Sequence, residues 1–185
     1  VGLAVLMDVE ITSCSLRIRS LVEDMRVQWR DLDCRITAFD DEFRAYSRSD
    51  KACRLLTTIP GIGPLNATAF VAAIDNAQTF SRGRDLAAWL GLVPRQMTTG
   101  GKPRLLGISK RGNGYLRKML IHGARAALPT LSKDKTILGS WLRNLLARAH
   151  FNKVVVALAA KMASIIWSVL RSGIAFKAAA MEMSA

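Results

Sequence analysis

Residues 49–76 read SDKACRLLTTIPGIGPLNATAFVAAIDN, and this stretch decides the fold. Ser49 or Asp50 can cap a short helix from Lys51 to Thr57, because either side chain offers an oxygen to the orphan amides of a first turn. The run Ile59-Pro60-Gly61-Ile62-Gly63-Pro64 then breaks the helix. An apolar helical run resumes from Leu65 to Ile74, and Pro64 suits its first turn. Helix, Gly-x-Gly turn and helix make the pattern of a helix-hairpin-helix. Gly61 and Gly63 allow positive φ and close backbone approach. Their amides, with the N-terminus of the next helix, can face a DNA phosphate. The same residues also fit a simple structural turn between packed helices. By itself the motif implies sequence-independent backbone binding.

Upstream, from about Leu3 to Ser49, no Gly or Pro interrupts the chain. Apolar residues recur at Ile11, Cys14, Ile18, Leu21, Met25, Trp29, Leu32, Ile36, Phe39 and Phe43, in steps of three and four. That is the spacing of a helical seam. The other faces carry mixed charge, among them Arg17, Glu23, Asp24, Arg30, Asp33 and Asp41. A long helix with one apolar stripe needs a partner. The partner is either its own domain or, as a coiled coil, another chain or a missing domain. Pairing with another copy of the chain makes the protein a homo-oligomer through this helix.

Downstream, Ser81 can cap a helix over Arg82 to Leu90, closed by Gly91. Leu92 to Gly112 is too broken for one helix. Gly100-Gly101 between short β-prone runs reads as a hairpin or ordered loop. Three helices follow, roughly Asn113 to Leu128, Thr136 to Ala149 and Phe151 to Arg171, with Pro129 ending the first. The expected fold is mainly α. A coiled-coil-like helix (residues 1–49) precedes a compact helical domain (residues 50–185) holding the helix-hairpin-helix and a small hairpin.

Charge narrows the function. The 185 residues carry a net +13. Residues 1–85 hold 11 basic and 12 acidic side chains, whereas residues 86–185 hold 16 basic ones and only Asp134 and Glu182 as acids. A folded half with that excess attracts a polyanion, nucleic acid first and an anionic membrane surface second. The most apolar stretch, Val154 to Ile174, carries Lys161 and Arg171, which are costly in a bilayer. It reads as a buried core helix, with no membrane partner. Aromatics are only 6%, which argues against a base-stacking platform. Cys14, Cys34 and Cys53 are odd in number and lack C-x-x-C spacing, so they read as reduced thiols of a cytoplasmic protein. The two histidines lie far apart, so no zinc site follows. The first residues lack a basic start and a small-residue cleavage site, so no signal peptide is expected.

The densest chemistry lies in Gly107-Ile108-Ser109-Lys110-Arg111-Gly112-Asn113, followed by Arg117 and Lys118. A serine flanked by Lys and Arg can attack a phosphodiester, the cations stabilising charge on the non-bridging oxygens. Ser109 equally fits a helix cap or a phosphate-contacting hydroxyl. No His, Asp or Glu lies nearby in sequence as a base. His122 is the nearest downstream imidazole and reads as a packed residue. Asn113 can cap the helix that follows. Arg95, Lys102, Arg104, Lys110, Arg111 and Arg117 are the expected phosphate contacts, together with Gly61, Gly63 and Asn113. Residues 86–185 offer too few carboxylates for two-metal catalysis, so no metal site is assigned.

Four motifs stand in order: IPGIGPLNATAFVAAI (59–74), DLAAWLGLVPRQ (85–96), TTGGKPRLLGISKRGNGYLRKMLIHGARAAL (98–128) and NKVVVALAAKMASIIWSVL (152–170). Together they resemble the C-terminal, serine-bearing region of the DEDD-type insertion-sequence transposases, the bridge-RNA-guided recombinases. The resemblance runs from about Leu55 to Leu170, and the upstream helix looks like that family's coiled-coil linker. It implies DNA transposition by site-specific recombination. It also implies a two-part active site: an N-terminal acidic RuvC-like domain holds Mg²⁺, and the C-terminal region supplies a serine that joins covalently to DNA. A structured guide RNA selects the DNA. No cofactor is expected on this chain itself, and Mg²⁺ is implied through the N-terminal domain. Nothing here looks like that domain, and Asp8 and Glu10 fall on the expected helix, so the chain reads as a C-terminal piece. Family members often carry serine just before the Gly-Gly, where this chain has Thr98 and Thr99. Ser109 is therefore the first candidate nucleophile, and Thr98 or Thr99 the second. The alternative is a non-enzymatic DNA-binding module or an inactive remnant.

Overall fold

The computed structural model describes residues 15–75 and 77–177. The expected helical positions from Leu3 to Cys14, Asp8 and Glu10 among them, lie outside the described residues. The elements are α1 (Leu16–Ser49), α2 (Lys51–Leu56), α3 (Pro64–Ile74) and α4 (Gly83–Trp89). A two-stranded antiparallel sheet of β1 (Pro94–Thr99) and β2 (Lys102–Ile108) follows. The chain then runs through α5 (Gly114–Leu131), α6 (Ile137–Leu146) and α7 (Phe151–Ser172). The mainly helical expectation with one small hairpin holds.

Two units divide at residues 42 and 43. In the first, α1 is mostly solvent-exposed. Leu21, Met25, Trp29, Leu32, Ile36 and Phe39 are all exposed, so the apolar stripe is legible on the helix surface. Its ion pairs include Arg26–Glu23 and Arg30–Glu23, at 3.4 and 3.9 Å. Exposed pairs of this kind contribute only tenths of a kcal/mol, about 0.3–0.5 each.

The second unit is built around α7. Val154, Val155, Leu158, Ala159, Met162, Ala163, Ile166 and Val169 are buried along it. Among the described residues this is the one helix long and apolar enough to cross a membrane, and it serves as the core helix here. Its larger side chains each contribute roughly 1.5–3 kcal/mol by leaving water. Helices α4 and α5 pack on it. α4 comes so close that a Cβ on Gly83 would stand 2.8 Å from the Ser164 Cα. Trp167 Nε1 donates to the Phe80 carbonyl at 2.8 Å, tying α7 to the loop before α4.

Several helix ends differ from the sequence expectation. Asp50 caps α2, accepting from the Cys53 amide at 2.7 Å, while the Ser49 hydroxyl donates back to Tyr46. α4 starts one residue later than expected, with Arg82 rather than Ser81 at the cap and the Asp85 carboxylate accepting the Arg82 amide at 2.9 Å. Pro129 does not end α5, which runs on to Leu131. Proline removes one ladder bond there, but buried Leu128 and Leu131 hold the last turn against the core. α6 stops at Leu146, three residues short, and its cap is Thr136, whose Oγ1 accepts from the Gly139 amide at 3.0 Å.

The turn between α2 and α3 uses its glycines unequally. Gly61 has φ +87°, whereas Gly63 has φ −89° and ψ 177°, which any residue adopts. A Cβ on Gly61 would collide with the Gly123 carbonyl of α5. That close approach seats α3 on α5, and the Asn66 Nδ2 donates to the Gly61 carbonyl beside it at 3.3 Å.

Candidate nucleic-acid interface

The hairpin is the most exposed part of the second unit. Every residue from Pro94 to Gly107 is exposed, and only Ile108 is half-buried. A two-residue hairpin loop of type I′ needs positive φ at both turn positions. Gly100 and Gly101 supply it, at +58° and +76°. The register pairs Thr99 with Lys102, Thr98 with Pro103, Met97 with Arg104, Gln96 with Leu105 and Pro94 with Ile108. Between the last two pairs, Leu106 and Gly107 oppose Arg95 alone, which makes a bulge at the base of the ribbon. Pro103 is tolerated because both strands are edges.

The base of the ribbon is clamped by a second set of backbone contacts. The Ser109 amide donates to the Val93 carbonyl at 2.8 Å, and the Lys110 amide to the Gly91 carbonyl at 3.1 Å. Lys110 itself sits in the left-handed region at φ +56°. A Cβ on Gly91 would run into the Arg111 carbonyl, and one on Gly112 into the Trp89 carbonyl. The two glycine turns therefore interlock, and their φ values of +72° and +100° confirm that glycine is required at each. Asn113 caps α5, its Oδ1 accepting from the Leu116 amide at 3.1 Å. Ser109 is thus not the helix cap; it stands four residues earlier, half-buried at the root of β2.

These contacts bring together Arg95, Thr98, Thr99, Lys102 and Arg104 on the ribbon, with Ser109, Lys110 and Arg111 at its root. Among the described residues, no ion pair neutralises those five cations. Gly61 and Gly63 lie on a separate turn. Arg117 is half-buried and its Nη1 donates to the Leu90 carbonyl at 3.0 Å, so at least one edge of its guanidinium is used within the fold.

Two further arginines serve the fold in a way sequence reading missed. Arg143 Nη1 donates to the carbonyls of Ser132 and Asp134, at 2.8 and 2.9 Å. Arg125 lies over the Phe151 ring at 5.6 Å and donates to Asn152 Oδ1 at 3.1 Å. Part of the basic excess is therefore internal clamping, and the cations of the hairpin are not among the clamped ones. His122 is exposed, not packed, because it falls off the buried stripe Leu116–Leu120–Ala124–Leu128 of α5. Among the described residues, no three His, Cys, Asp or Glu side chains come together to hold a metal ion. The Mg²⁺ implied by the resemblance finds no fitting donor set in them.

The fold is that of a basic helical domain bearing an exposed, cation-rich β-ribbon. Residues 53–136, which span α2 to the start of α6, match the family described as Transposase IS116/IS110/IS902. A probable family 20 transposase of Pseudomonas aeruginosa is 43% identical over 150 residues, covering 81% of this chain and 44% of that protein. The transposase for insertion sequence element IS1111A of Coxiella burnetii is 38% identical over 161 residues, covering 87% and 44%. The transposase for insertion sequence element IS1328 of Yersinia enterocolitica is 38% identical over 141 residues, covering 76% and 42%. Residues 53–136 thus match a transposase domain of this family, and the chain spans less than half the length of these curated relatives.

Proposed function

We propose that the chain is the C-terminal part of an insertion-sequence transposase, acting in DNA transposition by binding DNA and a structured guide RNA. The observation that carries this reading is the exposed ribbon with unneutralised Arg95, Lys102 and Arg104, rooted in Ser109-Lys110-Arg111. The amides at Gly63 and the start of α3 provide a second place for a phosphate. In the catalytic version of this reading, a hydroxyl of Ser109, or else of Thr98 or Thr99, attacks a phosphodiester. The hydroxyl oxygen bonds to phosphorus as one phosphorus–sugar oxygen bond breaks. The hydroxyl proton passes to a base, and the departing sugar oxygen takes one up. The cations stabilise the charge that builds on the non-bridging oxygens. Between residues 86 and 177 the only acid is Asp134, and in this reading the base is supplied by the separate acidic N-terminal domain.

That same shortage of carboxylates favours a second reading, a non-enzymatic DNA-binding module. A denaturing gel for a covalent protein–DNA adduct separates the two. The chain is mixed with element-end DNA, flanking RNA, Mg²⁺ and a separately supplied acidic N-terminal domain, with single alanine variants at Ser109, Thr98 and Thr99 alongside. An adduct lost in one variant alone identifies the nucleophile. Salt-sensitive binding with no adduct in any lane leaves the module.

A further inference from the structure

The hairpin has two faces, and its charges are not shared between them. Side chains alternate along a strand, and paired residues share a face. With Met97 opposite Arg104 and Thr99 opposite Lys102, one face holds Arg95, Met97, Thr99, Lys102 and Arg104. The bulge falls on β2, so Arg95 keeps its alternation with Met97. The other face holds Pro94, Gln96, Thr98, Pro103 and Leu105, without a single charge. The Gln96 Nε2 donates to Thr98 Oγ1 at 3.4 Å, as expected for side chains two residues apart on one face. All three cations of the ribbon therefore point to one side, and neither strand carries an acid.

Resting on the nucleic-acid reading above, we propose that the ribbon binds duplex DNA through this one face. Arg95, Lys102 and Arg104 meet the phosphates, and Thr99 is the tip hydroxyl presented to them. Thr98 faces away. Three cations on a face about 20 Å long match successive phosphates along a groove. Two strands about 5 Å apart fit the major groove of B-form DNA, about 12 Å wide. The deep, narrow major groove of A-form RNA does not admit such a ribbon. This side assignment goes beyond a list of basic residues, because it separates two adjacent threonines and two exposed apolar side chains that composition treats alike.

Met97 and Leu105 provide the test. Both are well exposed, at 54% and 69%, and they lie on opposite faces. The same change is made at each, Met97→Glu and Leu105→Glu, in the full chain. Circular dichroism checks that both variants keep the wild-type helix content. Affinity for a mixed-sequence DNA duplex and for the matching RNA duplex is then read by fluorescence anisotropy across a salt series. Met97→Glu is expected to weaken DNA binding about tenfold at low salt, and Leu105→Glu less than about twofold. Lys102→Ala is expected to lower the salt slope by about one. Equal losses at the two positions, or a larger loss at Leu105, overturn the face assignment while leaving nucleic-acid binding intact. RNA duplex bound as tightly as DNA overturns the choice of DNA. A wild-type chain that binds neither duplex sinks the nucleic-acid reading itself.

Discussion

The guanidinium of Arg117 reaches from the first turn of α5 to the Leu90 carbonyl, donating from Nη1 at 3.0 Å across 27 residues of sequence. Leu90 is the C-cap of α4, so the bond ties α5 to the segment that leads into the hairpin, which the Ser109 and Lys110 amides also hold. A charged donor to a half-buried carbonyl contributes about 1.5–3 kcal/mol. Arg117→Ala is therefore expected to lower unfolding stability by about 1–2 kcal/mol in urea titration, after some replacement by water. The salt slope of nucleic-acid binding should stay unchanged. A slope reduced by about one with unaltered stability would make Arg117 a phosphate ligand instead.

The glycines at the root and at the tip of the ribbon predict unequal costs for the same substitution. Gly112→Ala places a Cβ against the Trp89 carbonyl at a φ of +100°. Gly100→Ala also needs a positive φ, +58°, but its Cβ meets open space. Left-handed backbone alone costs about 1–2 kcal/mol for a residue with a Cβ. The collision adds to that at Gly112, so about 3 kcal/mol or more is expected there, and about 1 kcal/mol at Gly100. Urea midpoints of the two variants give the comparison. Equal losses would mean the interlock relaxes freely.

What the sequence made legible was local. The Gly100-Gly101 turn, the Asn113 cap and the apolar run that became α7 each depend on neighbours within a few residues. The interlock of Gly91 with Gly112, and the bonds of Arg117 and Arg143, join positions far apart, and no local pattern signals them. Basic residues in particular look alike in a sequence whether they face water or close a fold. Pro129 misled for a related reason: local propensity argued for a stop, and tertiary burial of Leu128 and Leu131 outweighed it. At the site, the hydroxyls and cations could be named from composition and motif. Their division between two faces needed the register, which the two-residue Gly100-Gly101 turn sets and the bulge shifts only beyond Gln96.

Cys53 gives a pH prediction. It is fully buried, and burial, followed by the hydrogen bond and charge of Asp50, pushes its thiol up to about 12. In the unfolded chain a cysteine ionises near 8.5. Above that pH the unfolded state loses its proton while the folded state keeps it, so stability falls as pH rises from about 9 towards 12. Below about 8 this residue adds no slope. Urea titrations at several alkaline pH values should show the fall, and Cys53→Ala should flatten it. Cys34 is exposed, so a thiol reagent at mildly alkaline pH should label it quickly and reach Cys53 only on unfolding. Rapid labelling of native Cys53 would contradict its burial.

The last prediction concerns α1. Leu21, Met25, Trp29, Leu32, Ile36 and Phe39 stand exposed in one helical stripe, at steps of three and four. Isolated helices gain little from propensity alone, and such a stripe gains most by pairing. Self-association through this stripe is the expected outcome, with the charged side chains of the other faces left in water. Sedimentation velocity over a concentration series should show a species heavier than the monomer. Trp29→Glu combined with Ile36→Glu places a charge at two seam positions and should shift the equilibrium at least tenfold towards monomer, about 1.4 kcal/mol or more. Circular dichroism in the same samples separates lost pairing from a lost helix. If the wild-type chain stays monomeric at every concentration, α1 does not pair with a second copy. If it associates but the double variant associates equally well, the contact lies elsewhere on the molecule.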